Sequence, residues 1–457
     1  MDQTEALIIE TIDRHREEIL EFARDIYSHA ELGYKEFQTS GKFVKKMEQL
    51  GLRTEKGFAI TGVKAYLNED KKENASLALL GELDALRIPE HAFANPETNA
   101  AHCCGHHAQM AGVFGAALAL TVPEIAEKLD GQVVFFATPA EEYGEIEFKN
   151  QLREQGKIRY GGGKCELLRI GAFDDIDLCL THHIRPGNEI LVGSGTGNGF
   201  VSKVIRVLGK ASHAAGAPEK GVNALSAASL GLQALGLNRE TFRDEDCVRV
   251  HPIITKGGNL VNVIPDEVVV ETLVRGKTIE AFTDAAKKTD RSFKAGAIAM
   301  GAKVEISTLP GYLPTLAEEA LPELKHAAEI SASGIPVIEA SGHAGGSTDV
   351  GDVQHLMPVY TFNTGGVKGG LHQIDFEVTD EEEAYIVTAK MFALAAYGLL
   401  KEKAQRSREL VDQYEPVFKN SAEYVEFMEQ FDSKEILFFH SLYQIRLSHH
   451  SNISFTG

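Results

Sequence analysis

The chain has 457 residues, 43% of them hydrophobic and 25% charged, enough for two or more globular domains with buried cores. Its formal net charge of −20, from 46 basic and 66 acidic residues, argues against nucleic acid or an anionic membrane surface as a partner. Five cysteines, at 103, 104, 165, 179 and 247, do not look like a disulfide framework, and no apolar run is long enough to span a bilayer.

Residues 3–53 predict a long helix, a short loop and a second helix, with Ile8, Ile9, Ile12, Ile19, Leu20, Phe22 and Ile26 on an apolar face. This N-terminus is charged throughout and lacks a signal-peptide core, so a cytoplasmic location is expected. Strand and helix patterns then alternate. Apolar runs at 76–86 (SLALLGELDAL), 131–142 (GQVVFFATPAEE) and 175–184 (DIDLCLTHHI) predict strands that end in acids or histidines, and 106–122 predicts an Ala-rich helix. Such alternation predicts an α/β fold, a mostly parallel sheet flanked by helices, with the site at the carboxyl ends of the strands.

Near residue 193 the pattern changes to β-α-β-β-α-β, the order of a ferredoxin-like unit, expected here as an inserted domain over 193–310. The α/β character returns over 311–402, so the expected catalytic domain is split, its first part being 1–192. Its closing helix is expected to start with Thr379 and Glu382 at capping-box spacing. A C-terminal helical tail is expected over 403–457. Its apolar stretch EILFFHSLYQIRL is too short for a membrane span and reads as docking on the body or on a partner.

The densest chemistry is His102-Cys103-Cys104-Gly105-His106-His107. A thiolate and an imidazole two residues apart suit a divalent transition metal, although histidines at a helix start can also simply cap it. Glu141 and Glu142 follow a buried strand and point in different directions, so one can hold a metal while the other faces an attacking water. The same pair would also suit a solvated helix N-terminus. Thr181-His182-His183 and the Gly-rich stretch leading to His372 are weaker signals, each open to a structural reading.

Taken in order, these motifs resemble those of the co-catalytic zinc peptidases that include aminoacylases, glutamate carboxypeptidases and the plant auxin-conjugate amidohydrolases. The branch with an H-x-C-G-H signature, which includes p-aminobenzoyl-glutamate hydrolase, is the most similar. That signature is His102 to His106 here; T-P-A-E-E is Thr138 to Glu142, and the first-loop motif is His29-Ala30-Glu31-Leu32-Gly33. The resemblance runs from about residue 15 to about residue 400 and implies a zinc-exopeptidase-like fold with one or two divalent ions, zinc or manganese, with cobalt or nickel as alternatives. It implies that Cys104 bridges two ions, one also held by Glu142 and His372, the other by His106 and His183. His183 is preferred to His182 because His183-Ile184-Arg185-Pro186 fits the family's H-V-x-P. Glu141 would be the general base, and Asp84 an acid behind the ligands.

The resemblance also makes the insert a lid and dimerisation domain. His213, in Gly209-Lys210-Ala211-Ser212-His213, would stabilise the oxyanion in the partner subunit's site of a homodimer, and Asn262 and Arg275 would hold the substrate's carboxylate. Two positions depart from the family pattern: His107 stands where an Asp is usual, and Gln109 where a His is usual. The implied activity is a metal-dependent amidohydrolase acting on small molecules such as N-acyl amino acids, aroyl-glutamates or small dipeptides. A dipeptidase of the same family and a non-catalytic ligand-binding relative are the alternatives.

Overall fold

The computed structural model describes residues 1–332, 334–437 and the backbone of 445–447. The chain divides into two compact units, one of Met1–Thr196, Leu316–His343 and Asp349–Ser421, the other of Gly197–Thr315, Ala344–Thr348 and the chain from Ala422.

The first unit is built on a mixed sheet of eight strands. Their order is Arg53–Phe58, Gly62–Leu67, Gln132–Thr138, Ser76–Glu82, Leu178–Ile184, Val359–Thr364, Ile190–Val192 and Val337–Glu339. The four middle strands run parallel, Gly62–Leu67 and Ile190–Val192 join them antiparallel, and Ile190–Val192 pairs in parallel with Val337–Glu339, so the sheet is mixed with parallel pairing at its centre. Every residue of Ser76–Glu82 and Gln132–Thr138 is buried, as expected of strands covered on both faces. Parallel pairing gathers the carboxyl ends of these strands on one edge.

The helix His106–Leu120 is also buried along its whole length. It is apolar all round, and it packs between strand Ser76–Glu82 on one side and helices Arg16–Ser28 and Thr388–Gln413 on the other. The helical stretch Glu382–Gln413 is long and apolar enough to cross a membrane, but its most apolar window is 89% buried within the fold and serves as core. Its cap is Asp380, whose Oδ1 accepts from the amides of Glu382 (3.0 Å) and Glu383 (3.2 Å), whereas the expected Thr379 hydroxyl turns to the carbonyl of Gly366. The expected first long helix is two helices, Gln3–Arg14 and Arg16–Ser28, separated at His15.

The second unit is an antiparallel sheet. Strand Gly199–Leu208 lies between Glu267–Gly276 and Lys303–Pro310, and the short strands Arg249–Val250 and Ile253–Lys256 pair with Glu267–Gly276. Burial alternates strictly along Glu267–Gly276, so one face of the sheet is covered. Helices Ala224–Asn238 and Ile279–Met300 pack against each other and against the sheet. The all-helical tail is corrected: after helix Ser421–Glu429, strand Ser433–Leu437 extends this sheet beside Lys303–Pro310. Phe431 packs on Phe282 with ring centroids 5.5 Å apart, which fixes the approach of that strand. The rest of the apolar stretch, at 438–444, lies outside the described residues.

Candidate metal centre and active site

Strand alternation settles which histidine of the 182–183 pair faces the carboxyl-edge cluster. His183 Nε2 lies 3.4 Å from Cys104 Sγ, whereas His182 bonds Thr364 Oγ1 at 2.8 Å and packs its ring on Phe362. Cys104 and His106 flank Gly105, whose φ of +88° turns the loop sharply into the helix; a Cβ there would meet Ile184 Cγ2 at 2.0 Å. His372 holds a left-handed φ of 63°, and so does Ala140 (49°), next to the Glu141-Glu142 pair. Such backbone costs of order 1–3 kcal/mol each and persists where surrounding structure enforces it. Here Glu36 accepts the Ala140 amide at 2.8 Å, and the Cys103 carbonyl accepts the His372 amide at 3.0 Å.

Three sets of donor atoms result, each set within 4.8 Å of one another: Cys104 with His106 and His183, Cys104 with Glu142 and His372, and Glu82 with His106 and Glu141. His372 Nε2 is 3.2 Å from Cys104 Sγ and 3.1 Å from Glu142 Oε1. Each of two imidazoles is fixed by its other nitrogen. His106 Nδ1 donates to the Asp84 carbonyl (2.9 Å) and carboxylate (3.2 Å), and His183 Nδ1 to the Ile184 carbonyl (2.8 Å). Their Nε2 atoms are thereby left to face the cluster, the arrangement expected of metal-binding histidines. Asp84 reaches further: its Oδ2 accepts the Glu142 amide at 2.9 Å, tying the two acidic segments together.

The cluster suits a divalent transition ion on its own chemistry. It offers a thiol, three imidazoles and carboxylates at one point, and two of its buried atoms, His106 Nε2 and Glu142 Oε1, have no hydrogen-bond partner. Burial pushes the Cys104 thiol up, reinforced by Glu142, and a divalent cation is the group that would hold it as thiolate. Glu141 is raised well above the ordinary carboxylate range, by burial first and then by Glu82 and Glu142. Its carboxylate is 4.0 Å from His106 Nε2.

Residues to which the sequence assigned no role complete this floor. Lys164 is fully buried and pairs with Glu82 and, at 2.7 Å, with Asp349. Burial works to raise Glu82, but the Lys164 ammonium and the His106 imidazolium hold it below the usual carboxylate range. Gly163 admits this lysine, since a Cβ there would come within 1.6 Å of the Pro139 carbonyl oxygen. Gln109 clasps Glu82 twice, donating to Oε2 at 2.8 Å and accepting its amide at 2.9 Å. The only hint in the sequence was Glu82 at the end of the apolar run SLALLG; Lys164, close to Glu166 and Arg169, carries no such mark. His107, expected beside the ligands, turns away from them. Its Nε2 meets Tyr385 Oη at 3.1 Å and its ring packs on Tyr27, while burial, and then the His106 charge, lower its pKa to about 3. Glu31 caps a helix instead, accepting the amides of Gln38 and Thr39.

The second unit separates its three candidates. His213 is exposed, and its Nδ1 accepts the amides of Ala215 (3.2 Å) and Gly216 (2.9 Å), which places the ring proton on Nε2. Asn262 is next to it, its carbonyl accepting the Ala214 amide at 3.0 Å. Arg275 pairs with Phe200 at the opposite end of the ladder, whose other end is Leu208 with Glu267. At about 3.3 Å per residue, Arg275 stands roughly 26 Å from Glu267, beyond which Asn262 lies.

With this geometry in view, the comparisons with known proteins agree on one family. The model of peptidase family M20/M25/M40 matches residues 78–397. The Xaa-Arg dipeptidase of Mus musculus is 27% identical over 408 residues, which is 86% of this chain and 85% of that protein. The IAA-amino acid hydrolase ILR1-like 2 of Arabidopsis thaliana is 30% identical over 272 residues, 58% of this chain and 56% of that protein. Among solved structures, the Bacillus subtilis YXEP protein, described as a dinuclear metal binding peptidase from the M20 family, superposes with a TM-score of 0.59 at 23% identity. That superposition covers 85% of this chain and 99% of the other.

Proposed function

The chain belongs to peptidase family M20/M25/M40, and from that membership we propose that it is a metal-dependent amidohydrolase releasing an amino acid from N-acyl amino acids, aroyl-glutamates or small dipeptides. The observation that carries the proposal is the meeting of Cys104, His106, Glu142, His183 and His372, drawn from four separate segments, around donor atoms set for metal ions. We assign Cys104 to two ions, one shared with Glu142 and His372 and one with His106 and His183, with zinc or manganese as the occupants. Such ions, when bound, lower the pKa of water and polarise a scissile carbonyl.

Glu141 is the base in this reading. It is 8% exposed, adjoins the ligand Glu142, and has the raised affinity for protons that suits a group taking one from water and passing it to the leaving amine. His213 is assigned to the oxyanion, since its Nε2 proton is directed by the two amides that occupy Nδ1. Asn262 and Arg275 are assigned to the substrate carboxylate. Their separation along one sheet favours a homodimer in which the ferredoxin-like insert of one subunit supplies one end and its partner the other. The two departures from the family pattern are compatible with activity, since His107 and Gln109 each have well-made partners.

A second reading, a dipeptidase, is favoured by the likeness to Xaa-Arg dipeptidase over most of the chain. One experiment addresses both. The protein is loaded with zinc, manganese or cobalt and given a panel of N-acyl amino acids, aroyl-glutamates and dipeptides. Turnover of at least one member, abolished by a chelator and restored by metal, is expected. No turnover with any metal overturns the proposal, and turnover of dipeptides alone selects the second reading.

A further inference from the structure

We propose that Glu82 is itself a metal ligand, binding the ion held by His106; the inference rests on the two-ion reading above. His106 commits Nδ1 to Asp84, so Nε2 is its ligating atom. Glu82 Oε2 lies 3.1 Å from that atom, yet Nε2 makes no hydrogen bond. The same relation recurs at His372 and Glu142, whose Nε2 and Oε1 are also 3.1 Å apart, with Glu142 Oε1 lacking a hydrogen bond. Two donors at about 2.0–2.3 Å from one ion and about 90–110° apart are separated by about 2.8–3.8 Å. The Glu82 to His106 separation therefore matches the other close donor pairs of the cluster, Cys104 with His183 at 3.4 Å and Cys104 with His372 at 3.2 Å.

A positioning role fits less well. A side chain that orients a ligating imidazole holds its remote nitrogen, as Asp84 does. Glu82 instead sits against the ligating nitrogen. In a loaded site Nε2 has no proton to give, and a carboxylate oxygen facing its lone pair would repel it unless one ion lay between them. The surroundings of Glu82 aim it accordingly. Lys164 takes Oε1, and Gln109 donates to Oε2 while accepting the Glu82 amide, so Oε2 is fixed toward His106 in a side chain only 3% exposed. Glu141 reaches no closer than 4.0 Å to the same nitrogen, which leaves it for the water.

The test is a structure and a spectrum. In crystals of the zinc-loaded protein a Glu82 oxygen is expected about 2.0–2.2 Å from an ion. In the cobalt-loaded protein, Glu82→Ala is expected to alter the visible absorption and to remove one oxygen ligand, read by X-ray absorption, from one of two ions. Because Glu82→Ala leaves Lys164 short of a partner, the Glu82→Ala/Lys164→Met pair is measured alongside it, and both are checked for native circular dichroism. Glu82 oxygens beyond about 3 Å from both ions, or a cobalt spectrum identical in wild type and both variants, overturn the assignment while leaving the two-ion site standing. A wild-type protein that takes up no cobalt or zinc overturns the site and this inference together.

Discussion

In the unit that holds Cys104, five candidate ligands from four separate segments meet in overlapping donor sets no more than 4.8 Å across; in the unit that holds His213, three candidate substrate residues stand at two ends of one sheet. The contrast follows from topology. Parallel strands deliver their carboxyl ends to one edge, so residues distant in sequence converge there. An antiparallel ladder does the opposite: it holds Glu267 and Arg275 roughly 26 Å apart, with Asn262 in the turn beyond Glu267. Convergence suits a centre that acts within one chain, and separation suits residues that two chains share.

The largest expected effect breaks the converged site from within. Glu141→Gln should keep two ions and bind substrate while turnover falls by roughly 10²-fold or more, because a proton acceptor is lost and no ligand is. Glu142→Gln should instead lose metal, measured by elemental analysis after dialysis. If the two variants exchange these outcomes, base and ligand have been assigned the wrong way round.

The next effect tests the separated residues. His213→Ala and Arg275→Ala should each lower kcat/KM by roughly 10²-fold, His213→Ala through kcat and Arg275→Ala mainly through KM for substrates bearing a free carboxylate. Mixed one to one under conditions where subunits exchange, they should recover about a quarter of wild-type activity: half the dimers are mixed, and in each one of two sites receives both residues. Exchange without recovery would show that His213 and Arg275 do not reach one site from different subunits.

The same contrast explains what could be read in advance. The strands, their polar ends and the order of motifs were legible because each is local: an apolar run of four to eight residues, then acids or histidines. The choice of His183 over His182 rested on the family's H-V-x-P, since alternation puts only one of them on the cluster face without saying which. Lys164, Asp349 and Glu82 were not legible as a group. The partners are 82 and 185 residues apart, and no periodicity marks a long-range buried pair. Strand Ser433–Leu437 was read as part of a helical tail because so short an apolar run fits either period. The resemblance set Asn262 and Arg275 on one substrate group, and only the ladder puts Arg275 at the end away from the turn that holds Asn262.

The smallest effect compares one buried lysine from each unit. Lys164, in the metal-site unit, lies between two buried carboxylates; burial works to lower its pKa, but Asp349 and Glu82 carry it upward. Lys203, in the insert, is 1% exposed with one acid, Asp290 at 2.7 Å, and a hydroxyl acceptor, Thr308 at 2.8 Å; burial lowers its pKa despite them. Removing Lys164 strands two acids beneath His106, and Lys164→Met should cost about 3–5 kcal/mol of stability, the range for breaking a buried ionic group. Removing Lys203 strands an acid that is 19% exposed and has Lys294 nearby, so Lys203→Met should cost less, about 1–3 kcal/mol. Location of the damage is the sharper readout. Lys203→Met should raise hydrogen exchange in helix Ile279–Met300 and strand Gly199–Leu208 while metal content and exchange in helix His106–Leu120 stay as in wild type. Lys164→Met should do the reverse, loosening helix Gly163–Arg169 and lowering metal affinity. If Lys203→Met loosens His106–Leu120 as much as the insert, the two units unfold as one, and the contrast between converged residues in one and separated residues in the other has no energetic counterpart.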